Sequence, residues 1–377
     1  MEIQELQRLY AQSPQVKALA KAVGNSQMRT VRMEGLMASA TPMVFSALAL
    51  KASPHILFVL QDEDEANYFY HDLCQLMGDG QVLLFPSSYR RAIKYAQRDA
   101  ANEILRTEVL SRLSTPSDQS STQYIVTHPE ALAELVVTRK SLDGRKLTLS
   151  VGESVRVESV LETMRDLGFE EVDYVYEPGQ FALRGSILDV FSFSHELPYR
   201  IDFFGDEVDT IRTFEVEDQL SKARCDKVDI VPELTAVEEK ESLIRFLPAD
   251  MLLCCKDFDF VRDTINELYK AGFSPQAVAE RLENAPEMER EALERQMRRE
   301  LQIVTATQFE ADCEPFRRIL LSRSEQRGGR SGAAITFDTV MQPLFHKNFD
   351  LLKTTLEDYR LKGYTLYILA DSQKQQE

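Results

Sequence analysis

The sequence predicts an α/β protein in which a mainly antiparallel α+β domain is inserted into a parallel-sheet domain. Three observations support this prediction. Short apolar strands alternate with helices over the first third of the chain, turn-linked strands dominate the middle, and the α/β pattern returns after Val231-Pro232. Alternating strands and helices are typical of a parallel sheet covered on both faces, whereas tight turns between successive strands favour antiparallel pairing.

The first half of the parallel-sheet domain is expected to span residues 1–137. Ser13 and Pro14 make a cap and first-turn pair for its opening helix. Apolar runs predict strands at 29–33, 55–60 and 81–86 and in QYIVTH, and helices are expected at 62–77 and 98–113. The polar segment TPSDQSST, at 115–122, is interpreted as a loop.

The inserted domain is expected to span residues 138–232. After a helix near 157–167, five strands are predicted in EVDYVY, QFALRG, SILDVFSF, PYRIDFF and VDTIRTFEV. The second half of the parallel-sheet domain, 233–340, contains the strand DMLLCCKD and a helix-rich stretch at 258–302. Residues 341–377 are expected to begin a further domain with a helix near 345–359 and the strand YTLYILAD.

Composition narrows the classes of function. With 377 residues, 44% hydrophobic and 28% charged, the chain is typical of a globular protein with more than one core. No apolar run approaches the ~18 residues of a membrane helix, and MEIQELQRLY lacks a signal-peptide pattern. We therefore expect a cytoplasmic monomer without membrane association. The net charge of −17 repels phosphate backbones, so DNA binding would require a local basic patch.

The cysteines and histidines do not form a recognisable reactive site. The five cysteines lack the CxxC spacing of zinc sites, and strand alternation sends Cys254 and Cys255 to opposite faces. The five histidines lie outside any nucleophile motif, and the acidic pairs are interpreted as helix-start and turn residues. Free thiols, no metal, no cofactor and no catalytic residue are therefore expected. The charged stretch 287–300 is interpreted as a solvated helix rather than a binding surface.

The segment GLMASATP, at 35–42, lies between a strand and a helix, where nucleotide-binding proteins carry GxxxxGK[ST]. Gly35 matches the first glycine, but Ala40, Thr41 and Pro42 replace the glycine, the lysine and the hydroxyl residue. The positive charge and the magnesium ligand are thus missing. The segment can also be explained without a ligand, with Thr41 as a helix cap and Pro42 as the first helical residue.

Residues 167–219 are closely similar to the segment shared by the excision-repair protein UvrB and the bacterial transcription-repair coupling factors, the Mfd family. The motifs that carry the resemblance are Gly179-Gln180-Phe181, Arg184-Gly185, Leu188-Asp189-Val190-Phe191 and RIDFFGDE, which begins at Arg200. The resemblance extends over about residues 10–340 and weakens after about Leu282. It implies a helicase-like α/β domain with a degenerate phosphate loop and an inserted UvrA-binding domain.

The resemblance also implies a function in transcription-coupled nucleotide excision repair. The chain would be a non-catalytic adaptor that recruits UvrA to stalled RNA polymerase. The motor of an ATP-dependent DNA translocase, and the contacts with RNA polymerase and DNA, would lie in regions of the parent protein beyond this chain. The alternatives are an ATP-binding helicase or translocase, and a direct DNA binder.

Two candidate surfaces follow. The family's partner-binding motif maps onto Arg184, Arg200 and Asp202, with Gln180 and Phe181 alongside. Alternation puts Arg184 on the side of Ala182, opposite Phe181 and Leu183, and a salt bridge without a binding role is the alternative interpretation. UvrB's strand-separating hairpin is replaced by a short segment whose basic-aromatic residues could touch nucleic acid or be solvated: Tyr89, Arg90, Arg91, Lys94 and Tyr95.

Overall fold

The computed structural model describes residues 3–78, 80–88, 100–114, 123–234, 237–272, 276, 279, 282–283, 303–322, 334–341, 345 and 348–367. The chain divides into two units, Met1–Asp338 and Thr339–Glu377. Among the helices in the described ranges, none combines the length and apolar character needed to cross a membrane. Predictions for 89–95, 115–122 and 287–300 concern residues outside these ranges.

Helices and strands alternate as expected over most of the described chain. The helices are α1 Ile3–Gln12, α2 Pro14–Gly24, α3 Ala40–Ala49, α4 Glu63–Met77, α5 Ala100–Ser114, α6 Pro129–Ala133, α7 Arg139–Asp143, α8 Val157–Asp166, α9 Leu243–Phe246, α10 Phe258–Gly272, α11 Ala306–Cys313 and α12 Phe349–Leu361. The strands are β1 Thr30–Glu34, β2 His55–Val59, β3 Val82–Phe85, β4 Gln123–Thr127, β5 Val136–Val137, β6 Leu147–Ser150, β7 Glu170–Glu171, β8 Gln180–Arg184, β9 Ile187–Val190, β10 Tyr199–Phe204, β11 Glu207–Phe214, β12 Ser221–Cys225, β13 Lys227–Ile230, β14 Lys240–Glu241, β15 Leu252–Cys255, β16 Arg317–Ser322 and β17 Ala334–Thr336.

A seven-stranded sheet forms the centre of the α/β part, in the order β17-β1-β16-β15-β2-β4-β3, and every neighbouring pair is parallel. Strands from both ends of the first unit thus share one sheet. Helices cover both faces, and each face has its own apolar core. Cys255 packs in one core and Cys254 in the other, which confirms that they point to opposite faces.

Local capping explains where several helices begin. The Ser13 hydroxyl accepts a hydrogen bond from the Val16 amide at 3.2 Å, and Pro14 opens α2 as predicted. The Asp62 carboxylate accepts from the Glu65 amide at 2.8 Å and caps α4. A side-chain oxygen that satisfies an otherwise unpaired amide stabilises a helix start by about 1 kcal/mol.

The middle of the chain forms a six-stranded sheet in the order β12-β11-β10-β9-β8-β7. Its pairs are antiparallel except for β7 and β8, which are parallel. The mixed fold class is therefore confirmed: a large parallel sheet and a separate, mostly antiparallel one. The expectation that EVDYVY, at 171–176, forms a full strand is wrong, because β7 is Glu170–Glu171 and only Glu171 of the predicted run lies in it. The chain then leaves the sheet so that Val175 can pack with Ala182, Phe191 and Phe214.

The two ends of this segment run side by side where they meet the α/β part. Strands β5 and β14 are antiparallel neighbours, and the Thr138 amide donates to the Glu239 carbonyl at 3.2 Å. Arg139 donates to the Leu113 and Phe246 carbonyls, each at 2.7 Å. This arrangement is what an inserted domain requires, while the limits 138–232 and 233–340 stay predictions.

In the second unit, α12 starts a few residues later than predicted, and the Asn348 side chain caps it by accepting from the Leu351 amide at 3.0 Å. Residues 364–367, the described part of the predicted strand YTLYILAD, are not in a strand. Nothing in the described part of this unit pairs with them as a sheet neighbour would, and the helix buries none of its residues. The strand prediction is therefore wrong for 364–367, while 368–371 lie outside the described residues.

Candidate functional site: a charged face of the antiparallel sheet

One face of the six-stranded sheet carries charged side chains at adjacent positions on five strands, β8 to β12. Strand pairing aligns Ala182, Asp189, Arg200, Arg212 and Arg224 in one row, and Arg184, Ile187, Asp202 and Thr210 in the next. We call the following residues the charged face: Arg184, Asp189, Arg200, Asp202, Thr210, Arg212 and Arg224. The opposite face packs into an apolar core through Phe181, Leu183, Leu188, Ile201 and Ile211. The predicted placement of Arg184 on the side of Ala182 is confirmed.

Asp189 lies at the centre of the charged face. Its side chain is only 1% exposed. Its Oδ1 accepts from Arg200 Nε at 2.8 Å, and its Oδ2 accepts from Arg200 Nη2 at 2.9 Å and from Arg184 Nη2. A buried carboxylate is costly unless it is paired and hydrogen-bonded, and these three charge-assisted bonds supply both. The Asp189 carboxylate on β9 therefore fixes two arginines, one on each of the two strands that flank β9.

Both arginines are also held from other directions. Arg184 is 35% exposed, lies over the Tyr174 ring at 4.7 Å, and donates to the Asp173 carbonyl at 3.1 Å. Its guanidinium therefore reaches solvent from a fixed position.

Arg200 is less exposed, at 15%, and packs over the Phe214 ring at 4.3 Å. It donates to the main-chain carbonyl of Gln219 at 3.1 Å and to its Oε1 at 3.3 Å. The hydrogen bonds to Asp189 raise the pKa of Arg200 above its ordinary value, so this guanidinium stays charged. Gln219 adopts a positive φ of 61°, which presents both of its oxygens to Arg200.

Asp202 belongs to a second ion pair on the same face. Its Oδ2 accepts from Thr210 Oγ1 at 2.8 Å and from Arg212 Nη2. The Nε of Arg212 is buried and has no hydrogen-bond partner among the described residues. Arg184, Arg200 and Asp202 thus lie on one face but in two separate groups of ion pairs. Asp189 holds Arg184 and Arg200, whereas Asp202 pairs with Arg212.

The two flanking residues that sequence reasoning assigned to the site differ in placement. Gln180 accepts hydrogen bonds from the Tyr176 and Glu177 amides at 3.0 and 3.1 Å, so its side chain holds the turn before β8. Phe181 is 0% exposed and packs in the core behind the sheet. Phe181 consequently offers no surface to a partner. The expectation that it lies alongside the arginines on the binding surface is therefore corrected.

Three further residues lie on or beside the charged face and were not predicted as site residues: Asp189, Arg212 and the exposed aromatic Phe204. Asp189 is part of the motif Leu188-Asp189-Val190-Phe191, and a carboxylate inside an apolar strand is itself a sign of a buried partner. Phe204 is 83% exposed and lies two and four residues after Asp202 and Arg200, on their side of β10. The period of two along β10 could have placed it beside the charged face.

Three amides of the segment 35–42 donate to backbone carbonyls. Gly35 has a φ of +81°, and its amide donates to the Ser322 carbonyl at 3.3 Å. The Ala40 and Thr41 amides donate to the Met37 and Ala38 carbonyls at 3.1 and 3.3 Å. The Ala40 and Thr41 amides are thus bonded within the segment, and Pro42 has no amide hydrogen.

The expected helix start in this segment is wrong. Helix α3 begins at Ala40, with Ser39 in the cap position and no side-chain hydrogen bond, so Thr41 is not the cap. Pro42 becomes the third helical residue. Proline is tolerated there because amides in a first turn have no partner four residues earlier.

Metal-binding groups and reactive cysteines are the remaining kinds of candidate site within the described ranges. No group of three or more His, Cys, Asp and Glu residues with metal-binding geometry occurs there. The five cysteines are free thiols, with Cys254, Cys255 and Cys313 buried and Cys74 and Cys225 partly buried.

Comparison with known proteins places the charged face inside a recognised domain. Residues 147–235 match the family described as the UvrB interaction domain. The chain is 27% identical over 213 residues to the transcription-repair-coupling factor of Bacillus subtilis, which is 56% of this chain and 17% of that protein.

Two further relatives carry the same description. The Escherichia coli protein is 32% identical over 126 residues, 33% of this chain and 11% of its own length, and the Mycobacterium bovis protein is 30% identical over 194 residues, 51% and 16%. The matched regions thus span less than a fifth of these relatives. Residues 147–235 are similar to the UvrB interaction domain family, and the chain resembles the transcription-repair-coupling factors over about half of its length, as the sequence motifs indicated.

Proposed function

We propose that this chain is a non-catalytic adaptor module of transcription-coupled nucleotide excision repair, and that it binds UvrA through the charged face. The observation that carries the proposal is the fixed pair of arginines on Asp189. Arg184 and Arg200 are oriented before any partner arrives, so little side-chain entropy is lost on binding. A few arginine or aromatic anchors dominate most protein interfaces, and Arg184 and the exposed Phe204, which lies on the same side of the sheet, suit that role.

The resemblance to UvrB and to the transcription-repair-coupling factors supports UvrA as the partner. In this proposal the parent protein is an ATP-dependent DNA translocase, and its contacts with RNA polymerase and DNA lie beyond this chain. The module then brings UvrA to the site at which RNA polymerase has stalled.

Charge reversal on the charged face tests the proposal. Arg184→Glu and Arg200→Glu are each expected to weaken UvrA binding by about 2 kcal/mol or more, measured by calorimetry with purified UvrA. Arg165→Glu is the matched control, because Arg165 is an exposed, ion-paired arginine of the same domain that contacts Glu171. Melting temperatures identify any variant that fails to fold, and Arg184→Ala provides a milder change. Wild-type affinity in folded Arg184→Glu and Arg200→Glu proteins would refute the binding face.

The non-catalytic part of the proposal rests on the residues of the segment 35–42. Ala40, Thr41 and Pro42 supply neither positive charge nor a magnesium ligand, and the Ala40 and Thr41 amides already donate to carbonyls of the same segment. The groups that hold Mg-ATP in a working phosphate loop are therefore missing at these positions. Calorimetric titration with Mg-ATP is expected to give no saturable binding. Binding at micromolar nucleotide would favour the helicase or translocase alternative for this chain.

A further inference from the structure

Three arginines lie directly opposite one another on adjacent strands at the exposed end of the charged face. Arg200 on β10 pairs with Arg212 on β11, and Arg212 pairs with Arg224 on β12. We call these residues the arginine row. Neighbouring strands are about 4.8 Å apart, so three positive charges are brought close together. Like charges at directly opposed positions destabilise a sheet, so folding stability alone does not favour this row.

The row is neutralised unevenly. Asp189 neutralises Arg200, and Asp202 neutralises Arg212. Arg224 is exposed, and no carboxylate within the described ranges pairs with it. Lys222, on the same strand, is paired with Glu215 at 3.1 Å. Across the two rows of the face there are two more arginines than aspartates, in a chain whose net charge is −17.

We infer that the arginine row extends the docking surface to the sheet edge and receives an acidic segment of the partner protein, with Arg224 as its outermost contact. The inference rests on the proposed function, because it names the chemistry of the partner surface that meets the same face. Guanidinium groups bind carboxylates through two parallel hydrogen bonds, and no side chain in the described part of the chain forms an ion pair with Arg224.

The charge distribution favours a protein segment over nucleic acid. Binding to a phosphate backbone depends on many cations that together displace counterions. Here the two inner arginines already hold carboxylates, and the rest of the chain is strongly acidic. A short acidic protein segment needs only a local excess of positive charge, and complementary charge of this kind mainly accelerates association.

The test uses the full chain with purified UvrA and three variants: Arg224→Glu, Arg224→Thr and the control Lys222→Thr. We expect Arg224→Glu to weaken UvrA binding about tenfold and Arg224→Thr roughly threefold, mainly because association becomes slower. The affinity of both variants should also depend less on salt concentration. Lys222→Thr should bind as the wild type does. Because Arg224→Thr removes a like-charge neighbour of Arg212 and adds a residue suited to strands, its melting temperature should not fall.

The outcomes separate this inference from the proposed function. If Arg184→Glu loses UvrA binding and Arg224→Glu keeps it, the arginine row is not part of the docking surface and the proposed function survives. If both bind normally, the proposed function itself fails. If Arg224→Glu lowers affinity for duplex DNA and leaves UvrA affinity unchanged, the acidic protein segment is the wrong ligand.

Discussion

Asp189 shows how a single buried residue can organise a surface. It has almost no contact with solvent, yet the orientation of both Arg184 and Arg200 depends on it. Loss of Asp189 would therefore weaken the binding of a partner that recognises the arginines, even if that partner does not contact Asp189. The same reasoning makes Asp189 more important to stability than either of its partners.

We predict that Asp189→Ala lowers the free energy of unfolding by about 3 kcal/mol, because removing one member of a buried ion pair leaves the others uncompensated. Arg184→Ala should cost clearly less, since Asp189 keeps both hydrogen bonds from Arg200 and Arg184 itself is partly exposed. Urea unfolding of the three proteins measures both changes. An Arg184→Ala protein that is as destabilised as Asp189→Ala would contradict the central role of Asp189.

The buried cysteines are predicted to be chemically inert in the folded protein. Burial raises the pKa of Cys255 and of Cys313 to about 12, and it raises the pKa of Cys254 well above its ordinary value. Since the thiolate is the nucleophile, these thiols hardly react near pH 8. Iodoacetamide should modify at most Cys74 and Cys225 in the native protein and all five cysteines after unfolding, as counted by mass spectrometry. Rapid native labelling of Cys254 would show that this part of the sheet opens.

At the scale of elements, Gly35 makes it possible for the segment after β17 to approach β1. A Cβ on Gly35 would lie 2.0 Å from the Phe337 carbonyl oxygen, and the residue has a positive φ of 81°. Gly78 has a similar φ of 87° but open space around its Cβ position. Substituting each glycine by alanine therefore compares the free-energy cost of a positive φ alone, at Gly78, with that of a positive φ plus a steric clash, at Gly35.

We predict that Gly35→Ala destabilises the protein by about 3 kcal/mol and Gly78→Ala by about 1 kcal/mol, because only the first adds a clash to the penalty of a left-handed backbone. Chemical denaturation of both variants gives the comparison. Equal losses would mean that the backbone near Phe337 moves away at little cost.

Helices and strands were predicted correctly where their determinants, such as a helix cap or an alternating strand pattern, lie within the local sequence. Ser13-Pro14 and Asp62 fixed helix starts through capping, and alternation in DMLLCCKD correctly separated Cys254 from Cys255. The strand predicted in EVDYVY ends at Glu171, and Val175 packs beside Phe214, a contact between distant residues that the local pattern does not reveal. The role of Asp189 could not be derived from β9 alone, since its partners come from two other strands.

At the scale of the whole molecule, the acidic surface and the charged face have opposite electrostatic character. The net charge of −17 disfavours polyanions in general, whereas the charged face has a small local excess of arginine. A protein partner with a complementary patch can use that local excess. Duplex DNA meets the unfavourable field of the entire chain, because its phosphates extend well beyond the face.

We therefore predict that the full chain binds duplex DNA weakly, with no saturation below about 10 μM protein at ~0.1 M salt, where the Debye length is still about 10 Å. Lesion-containing and intact duplexes should behave alike, because no UvrB-like strand-separating hairpin is expected in this sequence. Gel shifts with matched duplexes measure both quantities, and Arg224→Glu serves as a check that any residual binding comes from the arginine row. A clear preference for the lesion would instead indicate that residues outside the charged face, such as the basic-aromatic segment at 89–95, recognise damaged DNA directly.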